Sequence, residues 1–176
     1  PGLVGSTPVQ NVGAYGQEVA QTIWSVRTYD RTAGALKTFA NADCGFAYRH
    51  SRFKAEPGRY VVLEVTFQLT QGSLSAPIRF GELAGRLGLG GGGRAPLALV
   101  RDTVLALRRD KGMVCDPADH DTWSAGSFFT NPILDAAAAA RLPADAPRYP
   151  QPDGSVKSSA AWLIDHAGFG RGFGTP

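Results

Sequence analysis

The clearest pattern in the sequence is a strict alternation of side chains over residues 60–69. Apolar residues occupy every second position, namely Val61, Leu63, Val65, Phe67 and Leu69. A period of two is that of an extended strand whose side chains point to opposite faces. The pattern therefore predicts a β-strand with one core-forming face. Its other face, which includes Val62, is mixed and can meet water or a ligand.

A pair of strands is predicted upstream of this one, over residues 22–29 and 35–39. Both segments are rich in β-branched and aromatic residues, and the turn-forming residues 30–34 separate them. The sequence therefore predicts an antiparallel hairpin beside the strand at 60–69.

Helical periodicity begins after Pro96, a residue that suits the first turn of a helix. The apolar residues Leu97, Val100, Val104 and Leu107 recur at spacings of three and four, which predicts one apolar stripe along a helix. Gly112 is typical of a helix end. Shorter helices are predicted at 81–87, at 136–142 with Asp135 as its cap, and before His166 with Ser158 or Ser159 as its cap.

Glycine is concentrated in two places. The first sixteen residues contain Gly2, Gly5, Gly13 and Gly16, which predicts a turn-rich ribbon whose backbone a ligand can approach closely. The run Gly88–Gly93 formally fits the GxGxxG pattern of dinucleotide sites. It follows a predicted helix instead of a strand, so we favour a flexible linker there.

Charge and composition narrow the class of protein. Eighteen basic and fifteen acidic residues leave a net charge of +3, spread along the chain without a polybasic tail. This distribution argues against a nucleic-acid or membrane partner. The two cysteines form no CxxC motif or disulfide framework, which favours a reducing compartment. The chain begins at a proline and ends in a glycine-rich stretch, so we expect a fragment of a longer protein.

Several residues suggest chemistry without establishing it. Arg49, and Arg108 with Lys111 one helical turn later, would together suit an anionic ligand, although each alone is more typical of a surface cation. Ser127 is preceded by small residues, but no Ser-His-Asp arrangement accompanies it, and a structural serine remains the simpler interpretation. The cluster at 116–121 contains three aspartates and a histidine; a solvated loop is favoured there, and we predict no metal site.

Several segments carry a resemblance to a known family, that of the UDP-N-acetylenolpyruvoylglucosamine reductases (MurB). The chain resembles this family in the ordered segments 1–16, 45–54, 108–111, 125–132, 149–157 and 161–165. The first contains Pro-Val-Gln-Asn-Val-Gly-Ala-Tyr-Gly, and the fourth contains Ala-Gly-Ser-Phe-Phe-Thr-Asn-Pro.

The resemblance implies an α+β fold. Residues 1–112 would be the later part of a vanillyl-alcohol-oxidase-type FAD-binding domain, and residues 113–176 the start of an α+β MurB substrate-binding domain. It implies a cytoplasmic enzyme of peptidoglycan biosynthesis that uses FAD and NADPH to reduce UDP-N-acetylglucosamine enolpyruvate to UDP-N-acetylmuramate. The fragment alone is expected to be inactive, and its oligomeric state is left open.

The resemblance also implies roles for individual residues. Ser127 would donate a proton to the substrate carbon, and Arg49 would polarise the substrate carboxylate. The positions expected near FAD are Pro1, Gly2, Ser6, Val9, Gly13, Tyr15, Val62 and Arg108. The positions expected to hold the UDP-sugar are Lys111, Asn131, Tyr149 and Arg171.

The chain departs from the family pattern at one position that bears on substrate binding. The family's usual Arg-Tyr-Gly-Glu string reads Arg79-Phe80-Gly81-Glu82 here, which removes a hydroxyl. The family's pyrophosphate loop and its catalytic glutamate fall outside the chain. Two other interpretations stay open: a related FAD-dependent oxidase, and a non-catalytic UDP-sugar-binding or regulatory module.

Overall fold

The computed structural model of the chain describes residues 3–123, 126–170 and 173–174. Pro1, Gly2 and Arg171, three of the predicted ligand-binding residues, lie outside this part. The chain divides into two compact units, Pro1–Ser124 and Ala125–Pro176. The boundary that the sequence analysis predicts between the FAD-binding and substrate-binding domains lies earlier, near residue 113. That division by function stays a prediction.

A three-stranded antiparallel sheet forms the centre of the first unit. Its strands are β3 (Ile23–Asp30), β4 (Ala35–Ala40) and β5 (Tyr60–Phe67), arranged in the order β4-β3-β5. The hairpin and the third strand that the sequence predicts are therefore confirmed. A small hairpin of β1 (Gly13–Ala14) and β2 (Gln17–Glu18) precedes the sheet.

One face of the sheet covers a hydrophobic core. Its buried members are Ile23, Val26, Phe39, Cys44 and Phe53. Phe39 packs edge to face against both Phe53 and Tyr60, with ring centroids 5.5 and 5.1 Å apart. Burial raises the pKa of the Cys44 thiol to about 11, so this cysteine serves the core as a small apolar group.

The predicted alternation of β5 is wrong in its first half. Tyr60 and Val62 pack against the core, whereas Val61 and Leu63 are exposed. Arg27 of β3 pairs with Glu64, but the next residue, Thr28, pairs with Val62, so Leu63 is passed over in the ladder. This bulge shifts the side-chain phase by one position, and a pattern read from sequence assumes an unbroken ladder.

The described part of the first unit also contains the α-helices α1 (Arg52–Ala55), α2 (Gly81–Arg86) and α3 (Leu97–Arg109). The apolar stripe of α3 packs with α2 in a second core, through Val100, Val104 and the buried Leu107. Leu97, at the helix start, is instead exposed. Gly112 ends the helical segment at φ +63°, and the N–H of Met113 donates to the carbonyl of Arg108 at 2.8 Å.

The glycine run at 88–93 is not a free linker. Gly92 donates to the carbonyl of Ile78, and Ile78 donates in turn to the carbonyl of Gly93. This pairing holds the end of the run against the segment before α2, which corrects the prediction of a flexible linker.

The second unit is built from short elements. It contains β6 (Ile133–Leu134), α4 (Ala136–Ala140), β7 (Tyr149–Pro150), β8 (Val156–Lys157) and α5 (Ala160–His166). The strands form an antiparallel sheet in the order β6-β8-β7. Asp135 caps α4 as predicted, by accepting from the N–H of Ala138 at 2.7 Å.

Of the two serines predicted to cap α5, Ser159 does so, by accepting from the N–H of Trp162. Ser158 is buried, and its hydroxyl donates to the carbonyl of Pro147 instead. Helices and antiparallel sheets in both units establish an α+β architecture. Within the described ranges, no helix is both long enough and apolar enough to cross a bilayer.

A buried ion pair gives the first unit a testable pH dependence. Asp30 is only 3% exposed and bonds Arg59 at 3.0 Å, while it also accepts from the N–H groups of Thr32 and Ala33. The hydrogen bond from the Arg59 side chain lowers the pKa of Asp30. Ionised Asp30 therefore stabilises the fold above its unfolded pKa, about 3.9, and this stabilisation is lost as pH falls through the folded value.

Asp30→Asn should lower the melting temperature by about 5 °C at pH 7. The difference from the wild type should begin to shrink below about pH 4, where unfolded Asp30 takes up a proton, and should disappear as pH falls through the lowered pKa of folded Asp30. Thermal unfolding between pH 3 and 7 measures this. Asp102→Asn, in an exposed pair with Arg101, is the control and should change the melting temperature little. Equal effects of the two substitutions would contradict the prediction.

Candidate functional site

Arg49 occupies a tight turn that is anchored to the N-terminal ribbon. Ala47 and His50 exchange two backbone hydrogen bonds of 3.1 Å, so Tyr48 and Arg49 form the tip, with Arg49 at φ +51°. The next residue, Ser51, is fully buried, and its hydroxyl donates to the carbonyl of Val9 at 2.6 Å. The turn therefore has a fixed position relative to the ribbon.

The guanidinium of Arg49 is held by backbone carbonyls. Its Nη2 donates to the carbonyl of Gly13 at 2.6 Å and its Nη1 to that of Asn11 at 3.3 Å, and its Cζ lies 5.3 Å from the centre of the Tyr48 ring. No ion pair neutralises it within the described part of the chain. An oriented, uncompensated guanidinium is suited to bind a carboxylate or a phosphate.

Gly13 is required for this approach. A Cβ at position 13 would lie 2.6 Å from the carbonyl oxygen of Gln17, 2.9 Å from Cγ of Glu18 and 3.1 Å from Nη1 of Arg49. Any side chain there would push the guanidinium or the β1–β2 hairpin away. At this position glycine admits the chain's own Arg49 and hairpin atoms, and the approach of a ligand to the ribbon backbone stays a prediction.

A cavity of about 440 Å³ lies beside Tyr15. Tyr15, at φ +52° in the β1–β2 turn, packs edge to face against Phe80 with ring centroids 5.4 Å apart. Gln17, Gln21 and Arg79 supply polar groups to the lining, and α3 supplies apolar ones. The sequence singles out Arg79 only as part of the Arg79-Phe80-Gly81-Glu82 string and does not single out the two glutamines, because nothing in their spacing indicates that they meet.

The other residues predicted near FAD have varied surroundings. Val9 and Val62 pack their side chains against the first core. Ser6 is exposed and donates its hydroxyl to the carbonyl of Leu3 at 2.7 Å. Arg108 is half-buried and makes no side-chain hydrogen bond or ion pair to any described residue.

Lys111 lies just beyond the end of α3, not on its last turn. Its Nζ is 2.7 Å from both carboxylate oxygens of Glu82, the second residue of α2. Arg86 and Asp110 form a second ion pair nearby, in which Nη2 of Arg86 lies 2.6 Å from Oδ2 of Asp110. These two pairs join α2 to the end of α3, so Lys111 has an acidic partner that an incoming anion would have to replace.

Ser127, Asn131 and Tyr149 belong to the second unit. Ser127 is exposed, and within the described part of the chain its hydroxyl has no hydrogen-bond partner. Asn131 accepts from the N–H of Ala160 at 3.0 Å, which leaves its amide nitrogen available. Tyr149 is half-exposed on β7, with Nζ of Lys157 6.0 Å from its ring centre.

The acidic segment at 116–121 uses its carboxylates locally. Asp116 accepts from the N–H of Ala118, and Asp119 accepts from that of Asp121. These contacts close turns in the backbone. Among the described residues, no three histidine, cysteine or acidic side chains are grouped as metal ligands would be.

Comparison with known proteins finds similarity over nearly the whole chain. A family model described as "UDP-N-acetylenolpyruvoylglucosamine reductase, C-terminal domain" matches residues 116–175. The reductase of that name from Cutibacterium acnes is 60% identical over 98% of this chain and 45% of its own length. Its namesake from Streptomyces coelicolor is 58% identical over 99% of this chain and 49% of its own length.

A solved structure of the corresponding enzyme from Thermus caldophilus aligns with 94% of this chain and 41% of its own, at 18% identity and a TM-score of 0.45. The chain spans about half the length of the curated relatives that it matches.

Proposed function

Because the chain belongs to the UDP-N-acetylenolpyruvoylglucosamine reductase family, we propose that it supplies part of the active site of such an enzyme. The proposed reaction reduces UDP-N-acetylglucosamine enolpyruvate to UDP-N-acetylmuramate with NADPH as reductant and FAD as cofactor. The similarity over 98–99% of the chain at 58–60% identity supports the reaction class.

The observation that carries the proposal is the environment of Arg49. Its charge is oriented by the carbonyls of Asn11 and Gly13 instead of being neutralised by a carboxylate. A cation held in this way attracts the substrate carboxylate and stabilises the negative charge that develops during reduction of the enolpyruvyl group. The guanidinium of Arg59, by contrast, is neutralised by the carboxylate of Asp30.

The ribbon is compatible with a large planar cofactor such as FAD. Leu3 and Val4 are exposed, and a Cβ at Gly5 would meet no atom within 4 Å, so the start of the ribbon offers an open apolar surface. Ser6 offers an exposed hydroxyl oxygen, and Arg108, whose side chain pairs with no described residue, offers a cation for a phosphate. Val9 and Val62 contribute through their partly exposed surfaces, since their side chains also pack on the core.

FAD, when bound, would supply the hydride-transfer chemistry that protein side chains lack. The chain's own residues would bind the substrate and move a proton. Ser127 would donate its hydroxyl proton to the substrate carbon. Its hydroxyl is exposed and bonds no described residue, which fits that role once bound charges surround it. Lys111, Asn131 and Tyr149, with Arg171, would hold the UDP-sugar, and Lys111 would leave Glu82 to do so.

The proposal is tested in the whole protein that contains this chain. The purified protein should be yellow, NADPH should bleach its flavin absorbance, and the enolpyruvyl sugar should restore that absorbance. A colourless protein that binds the UDP-sugar would instead identify a binding module. A yellow protein restored by oxygen but unaffected by the sugar would identify an oxidase, and either result would overturn the proposal.

A further inference from the structure

We propose that Asn11 is the positioning residue of Arg49, fixing the direction in which the guanidinium faces the substrate. The inference rests on the proposed function, in which Arg49 acts on the substrate carboxylate. Asn11 itself touches no reacting group. It would act through two contacts with the Arg49 turn, one at Ala47, where the turn begins, and one with Arg49 at its tip.

The side chain of Asn11 is hydrogen-bonded to three residues from two separate segments. It is 1% exposed, and its Nδ2 donates to Oε2 of Glu18 at 2.7 Å and to the carbonyl of Ala47 at 3.0 Å. Its Oδ1 accepts from the N–H of Ala20 at 3.1 Å. A buried amide with both donors and its acceptor satisfied is rigid, because any rotation would leave polar groups unpaired.

Two of the contacts of Asn11 reach the Arg49 turn. The side-chain bond to Ala47 holds the residue at which the turn begins. The backbone carbonyl of the same Asn11 accepts from Nη1 of Arg49 at its tip. One residue therefore fixes both the position of the turn and the direction of its guanidinium.

The backbone of Asn11 also requires this residue type. Asn11 adopts φ +42°, in the left-handed region that asparagine tolerates better than most residues other than glycine. This conformation coincides with the carbonyl contact to Nη1 of Arg49. Glycine tolerates the same backbone without the side-chain bonds, so Asn11→Gly removes the bonds without adding backbone strain.

Asn41 provides a matched control. Its amide also joins two backbone segments of the first unit, donating to the carbonyls of Ala20 at 2.8 Å and Ile23 at 2.7 Å. It makes no hydrogen bond to Arg49 or Ala47. Asn41→Gly therefore removes a comparable number of structural hydrogen bonds while leaving the Arg49 turn untouched.

The first measurement is independent of catalysis. In the whole protein with ¹⁵N-labelled arginine, NMR exchange measures the rotation of the Arg49 guanidinium about its Nε–Cζ bond, with Arg49→Lys identifying the signal. We expect Asn11→Gly to speed this rotation at least about tenfold (a factor of ten is about 1.4 kcal/mol), because the carbonyl at position 11 is kept while the side-chain bonds that orient it are lost. Asn41→Gly should leave it unchanged.

The second measurement follows the two half-reactions separately, namely bleaching of the flavin by NADPH and recovery of its absorbance with the enolpyruvyl sugar. Asn11→Gly should slow substrate-dependent recovery of the flavin absorbance about 10- to 100-fold, the size of effect expected when a reacting group is displaced by about 1 Å. Bleaching by NADPH should change less than about twofold, because Arg49 faces the substrate. Asn11→Ser, which lacks the amide that donates to Glu18 and Ala47 and adds no charge, should give the same split and serves if Asn11→Gly fails to fold.

Three results would overturn the inference: unchanged Arg49 rotation in both Asn11 variants, equal loss in both halves of the reaction, or an equal effect of Asn41→Gly. Failure of the proposed function would look different. The wild type would then not respond to the enolpyruvyl sugar, while the NMR measurement would still report whether Asn11 orients Arg49.

Discussion

Replacing Ser127 with alanine in the whole protein should leave bleaching of the flavin by NADPH nearly intact and slow its recovery by the enolpyruvyl sugar about 10²- to 10⁴-fold. This decrease in rate is the one expected when a positioned proton donor is removed. The Ser127 hydroxyl makes no hydrogen bond within the described part of the chain, so its removal breaks no structural contact there. Stopped-flow absorbance measures the two halves separately.

Ser155→Ala is the control for this experiment. Ser155 also lies in a loop of the second unit, but its hydroxyl donates to Asp153 at 2.6 Å. Its loss should affect neither half of the reaction by more than about twofold, in line with the small effects of most surface substitutions. If Ser127→Ala slowed both halves equally, or no more than Ser155→Ala does, Ser127 would be a structural residue.

Local signals predict much of the fold because they act over a few residues. Asp135 and Ser159 cap α4 and α5 through N–H groups three residues ahead, and Gly112 ends the segment of α3 with a positive φ. The bulge at Leu63 depends instead on how β3 and β5 align, and these strands are far apart in the chain. The hydrophobic pattern along β5 alone cannot show that Leu63 has no paired residue on β3.

The candidate site shows the same difference between local signals and contacts of distant segments. The residue types at Arg49 and Gly13 are visible in the sequence, but their contact joins positions 36 residues apart. Lys111 illustrates the converse: its position after a helix suggests an available cation, while the fold brings Glu82 from α2 to within 2.7 Å. Partners that come from distant segments decide whether a charge is available, and spacing along the chain does not contain that information.

Arg49→Lys should slow substrate-dependent recovery of the flavin absorbance about 10²- to 10³-fold, the loss typical of removing one preorganised donor to a developing negative charge. Lysine keeps the positive charge but lacks the planar guanidinium. The guanidinium of Arg49 can bond the carbonyls of Asn11 and Gly13 and, at the same time, offer further N–H groups to a carboxylate. Bleaching by NADPH should stay within about twofold of the wild-type rate. Steady-state kinetics should show a lower kcat as well as a higher KM for the sugar.

Arg52→Lys distinguishes this effect from a general loss of an arginine near the turn. The Nε–H of Arg52 donates to the carbonyl of Asp43 at 2.9 Å, its Cζ lies 5.4 Å from the centre of the Phe39 ring, and its Nη1 is 4.0 Å from Oε1 of Glu56. None of these partners belongs to the ribbon. The substitution should lower stability slightly and leave the substrate half of the reaction unchanged. A comparable loss of rate in both variants would mean that Arg49 supports the fold, whereas a loss confined to Arg49→Lys requires its oriented guanidinium.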